Sequence, residues 1–257
     1  MSTAFFSYIE SLALRTWPAE TEEYHNGWFF RASGGITRRA NSIWTSDGTG
    51  PWQLDDARPK MAEAFYRKHL LPLRYHISDA SPAGLDAWLE RQGYAKETPC
   101  SVMIADTDEV CERTEASRNT KIKTVVQHRH DPAWVEHFIH MEGFKSEAAG
   151  FYDGLFHRVK PDKGFVSLID GERCVGAGMA VAEDGWAGFV NVVIHPQERG
   201  RGLGKLLLHE LAQWSRGHGA SRLYLQVMND NAPAIRLYSS TGYKRLYGFH
   251  YRTQTSS

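Results

Sequence analysis

Apolar and polar residues alternate at Leu73, Tyr75 and Ile77, and again at Leu223, Leu225 and Val227. That two-residue period predicts a strand with one buried face. Both runs are framed alike. A helical stretch precedes each (Ala57 to Leu70; Leu203 to Arg216), another follows (Pro82 to Gln92; Ala232 to Thr241), and Gly93-Tyr94 or Gly242-Tyr243 then opens a further strand. The glycine after each helix is the expected C-terminal stop. The two series keep step about 150 residues apart, the mark of an internal repeat.

Upstream the halves differ. The second offers helices at Pro132 to Phe144 and Ser146 to Arg158, then strands Phe165 to Asp170, Val175 to Ala182 and Trp186 to Ile194. Turns at Gly171 and Gly185 make these strands an antiparallel meander. The first has a short amphipathic helix within residues 1–18, then strands at Trp28 to Arg31 and Ser42 to Thr45 around the Gly34-Gly35 turn. The pattern predicts two α/β lobes of related fold, with mixed sheets and a shortened first lobe. The lobes are expected at 1–105 and 122–257, joined by a polar, aperiodic linker over 106–121.

Composition narrows the class. Thirty basic against thirty acidic residues leave no net charge to draw nucleic acid or membrane. No segment is long enough to span a bilayer. The residues before the first apolar run carry no basic flank, so they read as a helix, not a signal peptide. Cys100, Cys111 and Cys174 are isolated and odd in number, which fits a reducing cytoplasm.

Chemistry concentrates at Arg199-Gly200-Arg201-Gly202-Leu203-Gly204-Lys205, between an apolar strand and a helix. Glycines let backbone N–H groups turn onto an anion, and a helix N-terminus adds partial positive charge. A Walker loop fails here because Leu206 stands where Ser or Thr would ligate Mg²⁺. A dinucleotide fingerprint fails because Lys205 replaces its third glycine and the strands upstream form a meander.

The run resembles the pyrophosphate loop of the GNAT superfamily of acyl-CoA N-acyltransferases. Ile194-His195-Pro196 is similar to the end of that family's central strand, and Asn231 and Tyr238 fall at the family's spacing in the next helix. Gly242-Tyr243 is similar to its Gly-aromatic step into the last strand. The likeness covers roughly residues 131–253. It implies a tandem GNAT fold with a truncated N-terminal lobe, and acetyl-CoA as co-substrate. Coenzyme A would be held by Arg199, Gly200, Arg201, Gly202, Leu203, Gly204 and Lys205, by strand residues Val192, Val193 and Ile194, and by Asn231. An N–H of that strand would polarise the thioester carbonyl, and Tyr238 would be the acid for the departing thiolate. The acceptor would be a small-molecule or peptide amine, attacking directly, since no cysteine lies in the motif region.

The general base stays open. Gln226 stands where some relatives carry glutamate, Asn191 can only orient water, and spacing does not choose among Glu183, Asp184 and His195. That gap keeps a non-catalytic coenzyme A sensor or scaffold as the alternative function. In the first lobe the equivalent loop falls near Gly50-Pro51-Trp52-Gln53-Leu54-Asp55, with one glycine and no cation, and Leu89 replaces the tyrosine. This lobe should therefore not bind coenzyme A. Trp17-Pro18, Gly27-Trp28, Arg31 and the segment Arg38 to Ser42 resemble the N-terminal lobe of a bacterial group of two-lobed GNAT proteins. Arg38, Arg39 and Asn41 either recognise a carboxylate or phosphate on a substrate or form salt bridges to the other lobe or to solvent. Tyr152 and Asp153 fall where relatives line the acceptor pocket. His128, His130 and Asp131, and likewise His137 and His140, lack a closed ligand set, so no metal is expected. The tryptophans read as core, and a homodimer is the open option for assembly.

Overall fold

The structure, a computed structural model, describes residues 2–46, 52–117 and 121–254. In chain order the elements begin with α1 (Thr3–Thr16), β1 (Thr21–His25), β2 (Trp28–Ala32), β3 (Ile43–Trp44), α2 (Arg58–Lys68), β4 (Arg74–Ser78), α3 (Leu85–Arg91), β5 (Tyr94–Asp106) and α4 (Thr107–Thr114). They continue with β6 (Lys123–Gln127), α5 (Pro132–Glu142), α6 (Ala148–Arg158), β7 (Asp162–Asp170), β8 (Arg173–Glu183), β9 (Trp186–Ile194), α7 (Leu203–Gly217), β10 (Arg222–Met228), α8 (Ala232–Ser240) and β11 (Lys244–Gln254). Both repeated series are present, as α2-β4-α3-β5 and α7-β10-α8-β11. No helix among the described residues is long and apolar enough to cross a membrane.

Internal contacts divide the chain into two units. One holds the residues up to Ser101 together with those from Tyr247 on; the other is Val102–Leu246. The expected boundaries differ from this division in two places. The segment read as a linker contains α4, capped by the Asp106 carboxylate, which accepts from the Asp108 and Glu109 amides. Val110 and Cys111 bury α4 in the core of the second unit. Eight residues with two apolar anchors are too few to show a helical period. Residues 118–120 of that segment lie outside the described residues. The second difference is β11, whose residues from Tyr247 on fall in the first unit.

In the first unit the strand order is β1-β2-β3-β4-β11-β5. β11 runs antiparallel to β4, from Phe249↔Ser78 to Thr253↔Arg74. The core packs Trp28, Phe30, Tyr66, Tyr75, Leu85 and Leu89. Arg31 is fully buried, with Nε donating to Glu22 at 3.0 Å and Nη1 to the Arg39 carbonyl at 2.6 Å. Asn41 Oδ1 accepts from the Ser33 and Gly35 amides, and its Nδ2 donates to the Thr37 carbonyl. Arg39 lies over the Trp17 ring, and Arg38 bonds Glu97 at 3.3 Å. These three side chains therefore find their partners within the first unit, in place of the substrate anion or the bridges to the other lobe or to solvent that the sequence offered. Glu10 and His76 meet at 3.6 Å with no solvent access. Burial pushes the Glu10 carboxyl up to about 8 and the His76 imidazole well down, so two neutral groups face each other.

The second unit carries the meander. β6-β7, β7-β8 and β8-β9 pair antiparallel, and β10 lies parallel to β9. The apolar face of α7, with Leu203, Leu207, Leu208 and Leu211 buried, packs into this unit's core beside Leu223 and Leu225 of β10.

Candidate active site

The glycine run builds the start of α7. Gly200 and Gly202 have φ of +81° and +80°, values that side-chain-bearing residues avoid. Gly202 is the N-cap and has no side chain to accept from the first-turn amides. A helix start with no internal cap is a natural seat for an anion. Gly204 lets α7 approach α8, since a Cβ there would stand 2.9 Å from Leu237 Cδ2.

The strand before this turn is bent open. In the β8–β9 ladder Ala177 faces Val193 and Met179 faces Val190, so Asn191 and Val192 share one partner position. Asn191 takes φ of +55° to make this bulge. Pairing with β10 runs from Arg222↔Trp186 to Leu225↔Phe189. Val192 to Ile194 lie beyond that ladder, with β8 beside them on the other edge. Just past the last β10 pair, both amide atoms of Gln226 and Nδ2 of Asn191 are buried with no hydrogen-bond partner. Buried amides normally have one.

A cleft of about 510 Å³ joins these parts. Its wall includes Val192 to Ile194, the turn from Arg199 to Lys205, Asn231, Leu237, Tyr238 and Glu142. Of the expected site residues, Arg201 is absent from the described wall; its guanidinium pairs with Glu198 and Asp170. Arg199 Nε donates to the Ile194 carbonyl at 3.3 Å, tying the loop to the strand. Asn231 caps α8, its Oδ1 accepting from the Ala234 amide at 3.2 Å.

Tyr238 is 8% exposed and its ring lies 5.8 Å from that of Tyr243. Burial, reinforced by the nearby Glu142 charge, pushes its phenol up to about 12. Glu142 ends α5 and faces the same cleft. Glu142 is exposed along one side, and partial desolvation still raises its carboxyl above the usual range, against the pull of Arg199. Sequence reasoning missed this residue. The available signal was an acid in the last turn of a helix, where the macrodipole disfavours negative charge.

The three base candidates from the sequence lie elsewhere. Glu183 and Asp184 precede β9 while the cleft adjoins its far end; nine residues at ~3.3 Å each put roughly 25 Å between them. His195 is held by Arg173 at 2.9 Å and is not in the described wall; desolvation and Arg173 lower its pKa. Tyr152 is core, packed against Phe138, Phe144 and Phe156, and Asp153 pairs with histidines. In the first unit Leu89 is fully buried. Gly50 and Pro51 lie outside the described residues, but Trp52 stacks on Trp28 and packs at a tilt against Trp88. All three cysteines are buried, in no disulfide among the described residues, and absent from the described cleft wall.

A family model described as "Probable histone acetyltransferase Rv0428c C-terminal" matches residues 3–252. Over 246 residues the chain is 36% identical to the "Uncharacterized N-acetyltransferase YobR" of Bacillus subtilis, covering 95% of this chain and 96% of that one. Among solved structures, a GCN5-related N-acetyltransferase from Kribbella flavida superposes with a TM-score of 0.74 at 14% identity, covering 99% of this chain and 96% of the other. A tandem GNAT protein from the clavulanic acid biosynthesis pathway gives 0.62 at 14% identity over 80% and 72% of the two chains. At such identities the structural likeness is one of fold, and it is the tandem fold that the sequence motifs imply.

Proposed function

The chain belongs to the GNAT superfamily of N-acetyltransferases, and on that premise we propose that it transfers an acetyl group from acetyl-CoA to a primary amine in the cleft of the second unit. One observation carries this reading. An uncapped helix start, a strand edge outside its ladder, a buried phenol and a raised carboxyl line one cavity. When bound, acetyl-CoA supplies the acetyl group as an activated thioester. The amides from Gly200 to Gly204 would hold its pyrophosphate, with Lys205 and Arg199 adding charge, and the Val192–Ile194 backbone would hold the pantetheine arm and polarise the thioester carbonyl.

Two side chains handle protons. An amine with a pKa near ~10.4 must lose its proton before attack, a cost of roughly 4–5 kcal/mol at neutral pH. Glu142 is the acceptor for that proton, since a carboxyl raised toward neutrality is a better base than an ordinary one. Tyr238 acts at the other end. Moving a proton from a phenol near 12 to a thiolate whose acid lies near ~8.5 runs uphill by roughly 5 kcal/mol. Tyr238 therefore stabilises the departing sulfur as a hydrogen-bond donor and keeps its own proton. With no cysteine in the described cleft wall, the amine attacks the thioester directly.

The test is thiol release from acetyl-CoA across a panel of amino acids, amino sugars, polyamines and peptide N-termini. Amine-dependent release supports the proposal. Tight coenzyme A binding with no amine raising release above background would favour a sensor.

A further inference from the structure

A second group of chemistry-bearing side chains lies apart from the cleft residues. His130 stands just before α5, and Asp153 and His157 stand one turn apart on α6. His130 Nε2 is 2.9 Å from Asp153 Oδ1, and His157 Nδ1 is 3.6 Å from Asp153 Oδ2. The two imidazole centroids are 4.7 Å apart. One donor atom from each residue lies within 4.8 Å of the other two. We propose that His130, Asp153 and His157 bind one divalent transition-metal ion of the zinc class.

The donor set selects that class. Two imidazoles and one carboxylate leave a fourth position for water, the composition of an open zinc site, whereas Mg²⁺ and Ca²⁺ favour all-oxygen shells. Much of the ordering is built in. The His130 side chain is 5% exposed, and its ring is wedged beside Phe156 and Phe165 at 5.2 and 5.4 Å. The i,i+4 spacing puts Asp153 and His157 on one face of α6. Ligands bonded at ~2.1 Å around one ion stand roughly 3–3.5 Å apart; the two histidines approach different oxygens of Asp153, at 2.9 and 3.6 Å, and with all three donors within 4.8 Å a small inward shift completes the set.

His157 is the adjustable member. Its side chain is 69% exposed, and its Nδ1 donates to the Asp153 carbonyl at 2.8 Å. Rotation about its side-chain bonds brings a ring nitrogen into the set, and Asp153, 54% exposed, leaves an entry path. A His–Asp pair accounts for His130 and Asp153, and the Asp153 carbonyl holds His157 Nδ1; metal binding would exchange that backbone bond for a bond to the ion. Bound there, the ion would tie the start of α5 to α6.

The test uses the full chain, free of affinity tags and stripped with chelator. Zn²⁺ uptake is followed by calorimetry and Co²⁺ uptake by its visible absorption bands. The expected result is one equivalent per chain and a melting temperature that rises with Zn²⁺ concentration. Asp153→Asn and His157→Gln should each weaken binding at least tenfold while keeping the wild-type circular dichroism and metal-free melting temperature. Both positions are exposed, so these variants avoid the folding risk of replacing His130. The proposal is overturned if no saturable uptake occurs at a tenfold excess of Zn²⁺. It is equally overturned if the Asp153→Asn/His157→Gln double variant binds like wild type, which would place the ion elsewhere, for example at His137 and His140.

Discussion

Replacing Tyr238 by phenylalanine removes one oxygen from a buried position, and its effect separates cleanly into stability and rate. The ring is 8% exposed, and among the described residues its hydroxyl makes no hydrogen bond. Phenylalanine therefore strands no partner, and stability should stay near wild type. The rate is another matter. A hydrogen bond to a charged group is worth about 1.5–3 kcal/mol, which at ~1.36 kcal/mol per decade predicts a kcat lower by roughly 10- to 150-fold. The KM for acetyl-CoA should not move, because the phenol is no part of the glycine turn that holds the pyrophosphate. The pH profile gives a sharper check. A phenol pushed up to about 12 stays protonated through the assay range, so the kcat profile of the variant should keep the wild-type shape up to about pH 10. Initial rates of thiol release over that range decide it. A kcat within twofold of wild type, a loss carried by KM, or an alkaline limb that vanishes in the variant would refute the assignment.

Further expectations concern neighbouring groups. Glu142→Gln should lower kcat by about 10²- to 10⁴-fold and abolish the acidic limb of kcat/KM; a pH profile with that limb intact would clear Glu142 of the base role. Gly202→Val forces a side-chain-bearing residue to φ of +80°, at about 1–2 kcal/mol, so coenzyme A affinity measured by calorimetry should fall roughly 5- to 30-fold. Arg201→Ala, whose guanidinium pairs with Glu198 and Asp170, should change that affinity less than about threefold. Glu10 gives a stability signature. Its carboxyl ionises near ~4.3 in the unfolded chain and about 8 in the folded one, so the folded state holds the proton more tightly. His76 works the other way, since its lowered pKa costs stability as pH falls below about 6.5, so the pair should leave stability level between about pH 4.5 and 6.5 and let it fall by roughly 2 kcal/mol between about pH 6.5 and 8. Urea titrations at pH 5, 7 and 9 should show that fall in wild type, whereas Glu10→Gln, left with His76 alone, should gain stability from pH 5 to 7 and then level off; parallel curves would contradict a neutral Glu10.

What the sequence revealed followed from how local each signal is. The glycine run declares itself within seven residues, because left-handed φ and an uncapped helix start both need particular residue types in place. The alternation at Leu73 to Ile77 and Leu223 to Val227 marks half-buried strands for the same reason. Strand β1 escaped because its central residues Glu22, Glu23 and Tyr24 are exposed, leaving no apolar alternation to read. Glu142 escaped because its importance arises only when the fold carries it to Tyr238, nearly one hundred positions along the chain. The His130, Asp153 and His157 grouping was hidden likewise. The sequence pairs His130 with its neighbours His128 and Asp131, whereas the Asp131 carboxylate caps α5 by accepting from the Trp134 amide.

The course of β11 has a consequence for how the molecule is made. Residues 249–253 pair with β4, and β11 stands between β4 and β5 in the first unit's sheet. A ribosome releases β4 and β5 long before residue 247 emerges, so the nascent first unit must wait, with an unfilled slot between two strands, while the whole of 102–246 is synthesised. During that interval the slot is open to any passing strand, and translation of the second unit sets the length of the exposure. Cutting the chain near residue 106 would therefore yield two incomplete halves, one lacking its inserted strand and the other carrying that strand without its sheet.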